Sequence, residues 1–338
     1  MSKATGLPWR VRVSKFDVKA SPYLYVAPFY VMFAVVGLFP LLYTAYIATR
    51  KWNSVGGDKG LAVCGATCGD GGSTPSLLGN FAWVLNQPDF WTALGNTVSI
   101  FLLSSVPQII LALFIAYMLD ANLRAKTFWR MGVLLPYVIA PMAAGIIFNQ
   151  VFSDNMGLIN TVLTSVNIPA IPWHANRLAS HVAVASIVNF RWMGYNALVL
   201  LAAMQAIPRD LYEASVVDGA GPVRQFFSIT IPQLRATLIF VIITSTIGGL
   251  QVFDEPQMFS ISPSYGGSNN QFLTVTQLLW KTGFVSTNQS NMGRAAAIAW
   301  LLFLIIIAFV LLNFYLTRKI SGDGPSKPRR RARKEVAS

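Results

Sequence analysis

Apolar residues gather into six long runs, 23–47, 94–119, 131–152, 181–205, 237–253 and 295–316, separated by shorter polar stretches. Crossing a bilayer takes about 20 predominantly apolar residues, and a helix satisfies all its backbone polar groups within one segment. The pattern therefore predicts an all-α integral membrane protein with six transmembrane helices. The fifth run is the shortest and carries Gly248 and Gly249 near its far end. No internal repeat is visible, which weakens a secondary-transporter reading, where inverted repeats are common.

Composition supports this pattern. Of 338 residues, 54% are hydrophobic and 12% are charged, against about a quarter charged in soluble domains. A lipid-facing surface accounts for the missing charge. Nine Trp and eleven Tyr suit the membrane interfaces, where amphipathic rings settle.

The net charge of +13 would suggest nucleic acid in a soluble chain, but its distribution argues for anchoring. With the N-terminus inside, the inner segments hold 19 Lys and Arg and the outer segments six, with Arg191 alone inside a run. That asymmetry predicts both termini in the cytoplasm. No nucleic-acid motif accompanies the charge. The expected organisation is a cytoplasmic segment over 1–20, a six-span domain over 21–320, and a basic, Pro-rich tail over 321–338, expected to be disordered near anionic lipid. The N-terminus lacks a signal peptide's apolar stretch and cleavage site, so the first run reads as a retained span.

Cys64, Cys68, His174 and His181 are too sparse for a dedicated metal site, and no metal or cofactor is expected. Cys64 and Cys68 are separated by three residues in an outer loop, a compartment that permits a disulfide. A local bridge and two free thiols both fit that spacing.

The most informative stretch is the inner loop over 206–235. Pro208 suits the first turn of a helix, Asp210 and Glu213 complement its dipole, and Gly219 ends it as a left-handed residue. The spacing predicts a helix over 208–218, a turn at Gly221-Pro222, and a second helix over 223–229 stopped by Pro232. Glu213-Ala214-Ser215, three residues, Gly219, nine residues, then Ile229-Thr230-Ile231-Pro232 resembles the EAA loop of ABC importer permeases. Ser215 and Ile231 depart from the Ala and Leu of that pattern, both by small, like-shaped changes. The resemblance implies the type I permease fold and a coupling helix that fits a cleft on an ATPase subunit. It assigns coupling to Glu213, Ala214, Ser215, Asp218, Gly219, Ile229 and Pro232.

Other segments resemble binding-protein-dependent sugar permeases, in particular the first subunit of maltose-type importers. They are Ser21 to Phe29, Gly79 to Leu85, Pro88 to Thr97, Leu134 to Tyr137, and Arg191 to Tyr195. The resemblance implies a substrate path through the third, fourth and fifth spans, with Tyr137, Arg191, Trp192, Gly194, Tyr195, Asn196, Ser245 and Gln251 as its candidate residues. Aromatic rings stack on the apolar faces of sugars, and amides and hydroxyls bond their hydroxyl groups. Arg191, deep in a span, fits either a pathway or an ion pair with Asp254 or Glu255.

No phosphate-cradling Gly-x4-Gly-Lys-Ser/Thr loop is present, so ATP hydrolysis is expected on another chain and no catalytic residue is assigned. The implied partners are a second permease subunit, an ABC ATPase dimer, an extracytoplasmic solute-binding protein and the bilayer of a bacterial plasma membrane, with a sugar or oligosaccharide as substrate. A polyol or glycerol-phosphate-type solute is the alternative cargo. A polytopic membrane enzyme would need clustered His or carboxylates at one face, and the sequence has none.

Overall fold

The computed structural model describes residues 9–53, 56–64, 75–121, 124–260, 265–285 and 291–320. The chain runs through α1 (Trp9–Met32), a π-helical stretch Phe33–Leu38, α2 (Phe39–Ala48), and a hairpin of β1 (Arg50–Asn53) with β2 (Gly57–Leu61). Then come α3 (Gly79–Leu85), α4 (Pro88–Asp120), α5 (Lys126–Val138), α6 (Pro141–Val151), α7 (Leu158–Ser165) and α8 (Arg177–Gln205). The loop over 206–235 forms α9 (Arg209–Val217), α10 (Pro222–Gln225), a π stretch Phe226–Thr230 and α11 (Ile231–Gln233). The chain closes with α12 (Arg235–Leu250), α13 (Asp254–Phe259), α14 (Val275–Trp280), a π stretch Lys281–Val285 and α15 (Met292–Ile320).

Among the described residues, four helical stretches are long and apolar enough to cross a membrane unbroken: Ala20–Ala48, Pro88–Asp120, Arg177–Gln205 and Met292–Leu316. The other two expected spans are bent. The third breaks by 89° between α5 and α6, because Pro141 lacks an amide hydrogen and drives Ile139 and Ala140 into extended backbone. The fifth, expected over 237–253, is α12 and ends at Leu250; it meets the α10–α11 run at a 71° bend.

Two of the π stretches end just before a proline, Pro40 and Pro232. The amides of Phe39 and Ile231 reach back five residues, to the carbonyls of Ala34 and Phe226. The widened turn makes room for the proline ring while the helix continues.

The centre of the bundle is the long pairing of α4 with α8. Lipid tails are as apolar as Leu, so helix association in a membrane relies on close packing and buried polar contacts. Accordingly the buried faces include Ala93, Ala112 and Ala116 on α4 and Ala183, Gly194 and Ala197 on α8. The Ala20–Ala48 stretch, by contrast, is exposed along nearly its whole length.

After α12 the chain stays inside the bundle. Asn96 donates to the carbonyls of Asn270 and Leu273 at 2.8 and 3.1 Å, and Thr97 accepts from the Val275 amide at 3.0 Å. The His181 ring bridges Ser99 Oγ and the Gln271 carbonyl, each at 2.9 Å. Asn149 donates to the Phe259 carbonyl at 2.7 Å. Irregular backbone at membrane depth needs such internal partners.

Candidate translocation cavity and coupling loop

A cavity of about 370 Å³ opens between α4, α5, α8 and α12. On α8 the spacing of Val188, Trp192, Tyr195 and Asn196 puts all four on the face that lines it. Tyr137 enters from the last turn of α5, beside the 89° break. Its ring stacks on Tyr195 at 5.0 Å and meets Trp192 edge-on at 5.4 Å. Across from this aromatic group, Asn196 donates to Ser245 Oγ at 3.3 Å, and Ser105 donates to the Ser245 carbonyl at 3.4 Å. Gln108 and Thr244 complete the polar wall, and among the described residues no charged side chain lines the cavity. Gly248 also faces it, with open space where a side chain would stand.

Five of the eight candidate path residues thus meet in one place: Tyr137, Trp192, Tyr195, Asn196 and Ser245. The other three lie off the lining. The Arg191 side chain pairs with Glu255 of α13 through Nη1 and Oε1 at 2.5 Å, both residues being buried. Of the two acidic partners considered, Glu255 is the one used. Gly194 is a packing residue: a Cβ there would stand 1.8 Å from the Val133 carbonyl oxygen of α5. Gln251 caps the end of α12 and is exposed. Ser105, Gln108 and Thr244 were not anticipated. Single polar residues in an apolar run pass for helix-internal bonding, as Thr244 partly shows by donating to the Phe240 carbonyl at 2.9 Å.

The loop over 206–235 follows the expected plan with shifted ends. Pro208 is the N-cap rather than the first helical residue, and α9 ends at Val217 with Asp218 as C-cap. Gly219 has φ +76°. The amide of Ala220 donates to the Ser215 carbonyl at 2.8 Å and that of Gly219 to the Val216 carbonyl at 2.9 Å. This paired arrangement is the Schellman ending that a left-handed glycine permits. The following helical run extends through Gln233, not 229, because the π stretch absorbs Pro232. Ile229 lies within that stretch.

The loop is braced from inside. Gln225 Nε2 donates to Ser215 Oγ at 2.9 Å and to the Ala220 carbonyl at 3.3 Å, while Ser215 Oγ donates to the Tyr212 carbonyl at 2.7 Å. The Tyr212 and Thr230 hydroxyls meet at 2.9 Å, and Phe226 packs edge-on against Tyr117 of α4 at 5.0 Å. Ser215, where the family pattern has Ala, therefore ties α9 to α10. Outward, α9 presents Glu213, Ala214, Val216 and Val217, with Val217 88% exposed.

Cys64 is disulfide-bonded, and Cys68 lies outside the described residues.

Comparison with known proteins identifies the family and the fold. The chain is 30% identical over 303 residues to the arabinooligosaccharides transport system permease protein AraP of Halalkalibacterium halodurans, covering 88% of each chain. It is 31% identical over 307 residues to the lactose transport system permease protein LacF of Rhizobium radiobacter, covering 90% of this chain and 95% of that one. A chain of the bacterial alginate ABC transporter, crystallised with alginate pentasaccharide-bound periplasmic protein, superposes with a TM-score of 0.71 at 17% identity, over 92% of this chain and 98% of that one. The family described as binding-protein-dependent transport system inner membrane component matches residues 76–322, and the chain belongs to that family of ABC importer permeases, transport subunits rather than enzymes.

Proposed function

We propose that the chain passes a sugar or oligosaccharide through the cavity between α4, α5, α8 and α12, driven by an ATPase dimer docked on α9. The observation that carries this reading is the cavity wall: Tyr137, Trp192 and Tyr195 on one side, Ser105, Gln108, Asn196 and Ser245 on the other, with no charged side chain among the described residues that line it. Rings cover the apolar C–H faces of a pyranose, and the amides and hydroxyls replace the water lost from its hydroxyl groups. The names of AraP and LacF, which refer to arabinooligosaccharides and lactose, point to the same class of cargo. The uncharged lining, with Arg191 engaged by Glu255, speaks against an anionic solute such as a glycerol phosphate.

In this reading both termini are cytoplasmic, a second permease subunit completes the path, and an extracytoplasmic binding protein delivers the sugar. The exposed Glu213, Ala214 and Val217 enter the ATPase cleft. The Schellman ending and the Gln225 brace keep α9 stiff enough to transmit force. The test is reconstitution with all partners and a panel of loaded binding proteins. Trp192→Ala and Tyr195→Ala are expected to reduce sugar uptake about tenfold or more while binding-protein-stimulated ATP hydrolysis persists. Unchanged uptake in both variants would refute the cavity as the path.

A further inference from the structure

At the end of α4 opposite the coupling loop lies a second cleft, about 170 Å³, between the α3–α4 turn, the π stretch Lys281–Val285 and the start of α15. Lys281 and Arg294 both line it. The Arg294 guanidinium lies over the Trp83 ring at 4.0 Å, which fixes its plane. Its Nε is buried and has no acceptor, and among the described residues neither cation forms an ion pair. The one acidic group in the wall, Asp89, already accepts from Asn270 Nδ2 at 3.2 Å. A buried donor without a partner is costly, and an anion at this position would satisfy it.

Exposed aromatic rings stand near the cleft. Trp91 next to the cleft, and Trp280 and Phe284 on either side of Lys281, are exposed, at 55%, 40% and 53%. Trp280 and Phe284 stack at 4.5 Å. Such a rim of exposed aromatic rings settles at the headgroup level of a bilayer. α4 spans 33 residues, or about 50 Å, so the cleft and the coupling loop sit at opposite membrane faces.

We propose that this cleft is a phosphate site that holds the phosphodiester of an outer-leaflet phospholipid, with Arg294 and Lys281 as its ligands. Arg294 offers a planar fork to two phosphate oxygens, and Lys281 supplies a point charge. The bound lipid would join α3, the Lys281–Val285 stretch and α15 at the rim of the bundle. The outer position rests on the orientation proposed above; the phosphate chemistry does not.

The test uses the assembled importer in nanodiscs of phosphatidylethanolamine and phosphatidylglycerol, followed by native mass spectrometry after detergent exchange. Wild type and Arg294→Lys should retain a phospholipid. The doubly substituted K281Q/R294Q should retain about tenfold less or lower still, at unchanged assembly and basal ATP hydrolysis. A parallel arm adds inorganic phosphate: displacement of the lipid by phosphate at millimolar concentration would mark a small-anion site and overturn the lipid assignment. Equal lipid retention in wild type and K281Q/R294Q overturns the proposal. So does an unchanged lipid count accompanied by weaker docking of the binding protein, which would assign the two cations to that protein's surface.

Discussion

Gly194→Ala should cripple the transporter although it adds a single methyl group. The new Cβ would stand 1.8 Å from the Val133 carbonyl oxygen and 2.8 Å from its carbon. Reaching an ordinary contact of about 3.4 Å requires α5 to retreat from α8 by roughly 1.5 Å. The obstacle is backbone, so no side-chain rotation relieves it. Overpacking of this kind costs about 1–3 kcal/mol, and here it acts on the contact that sets the cavity. Tyr137, one turn along α5 from Val133, would move away from Tyr195, opening the 5.0 Å stack. The expected result is a lower melting temperature of the assembled complex and sugar uptake reduced about tenfold or more. The combination Gly194→Ala with Val133→Ala should do no better, because the carbonyl remains. Normal uptake and melting of Gly194→Ala, or rescue by Val133→Ala, would refute the close-packing account.

Removing one partner of the buried Arg191–Glu255 pair should destabilise the subunit by about 3–5 kcal/mol, so Arg191→Met should assemble poorly. Adding Glu255→Leu should restore assembly; failure of the double variant to assemble would refute the ion-pair account of that loss, and uptake lost despite normal assembly would return Arg191 to the substrate path. Gly219→Val meets no neighbour within 4 Å, so its cost, about 1–2 kcal/mol, is confined to backbone strain at the end of α9. This variant and Glu213→Lys should insert normally but lose ATPase retention or stimulated hydrolysis, measured by co-purification and phosphate release. Cysteines placed singly at Ser215 and Ser268 should react with impermeant reagents from opposite sides of the membrane; labelling from one side would sink the proposed topology. We further expect Cys64 and Cys68 to be bridged, so unreduced native membranes should yield no alkylated Cys64; free alkylation of both would exclude the bridge.

Hydropathy alone was enough to find the spans, because the cost of leaving backbone groups unpaired in lipid leaves few other structures possible. It located the third span but not its 89° break, since Pro141 adds apolar character to a window while removing a hydrogen bond. The end of α9 was readable at Gly219 because a left-handed exit has a residue signature. Trp192, Tyr195 and Asn196 came from the family resemblance, and their spacing then puts them on one helix face. Which of them faced a cavity depended on α12, and its polar residues Thr244 and Ser245 differ little from helix-internal ones. Gly194 beside the aromatics passed for part of the path, because the approach of α5 leaves no trace in local sequence. The partner of Arg191 lies 64 residues away on a segment that folds back into the bundle, and two adjacent carboxylates fitted equally until that segment was placed.

The 71° bend at Leu234 gives α12 the geometry of a crank. Its near end is joined to the braced 206–235 loop through α11, and its far end carries Ser245, Gly248 and Gly249 on the cavity wall. Gly248 lies about 20 Å along the helix from the bend. A rocking of 10° at Leu234 would carry that wall through about 3.5 Å, close to the thickness of an aromatic ring. Gly248 has free space around it, whereas Gly249 touches α4, where a Cβ would meet Phe101 at 2.8 Å. The arm is thus clear on its cavity side and tightly seated on its bundle side, so under the proposed function a small rotation delivered through the loop would act on the width of the cavity.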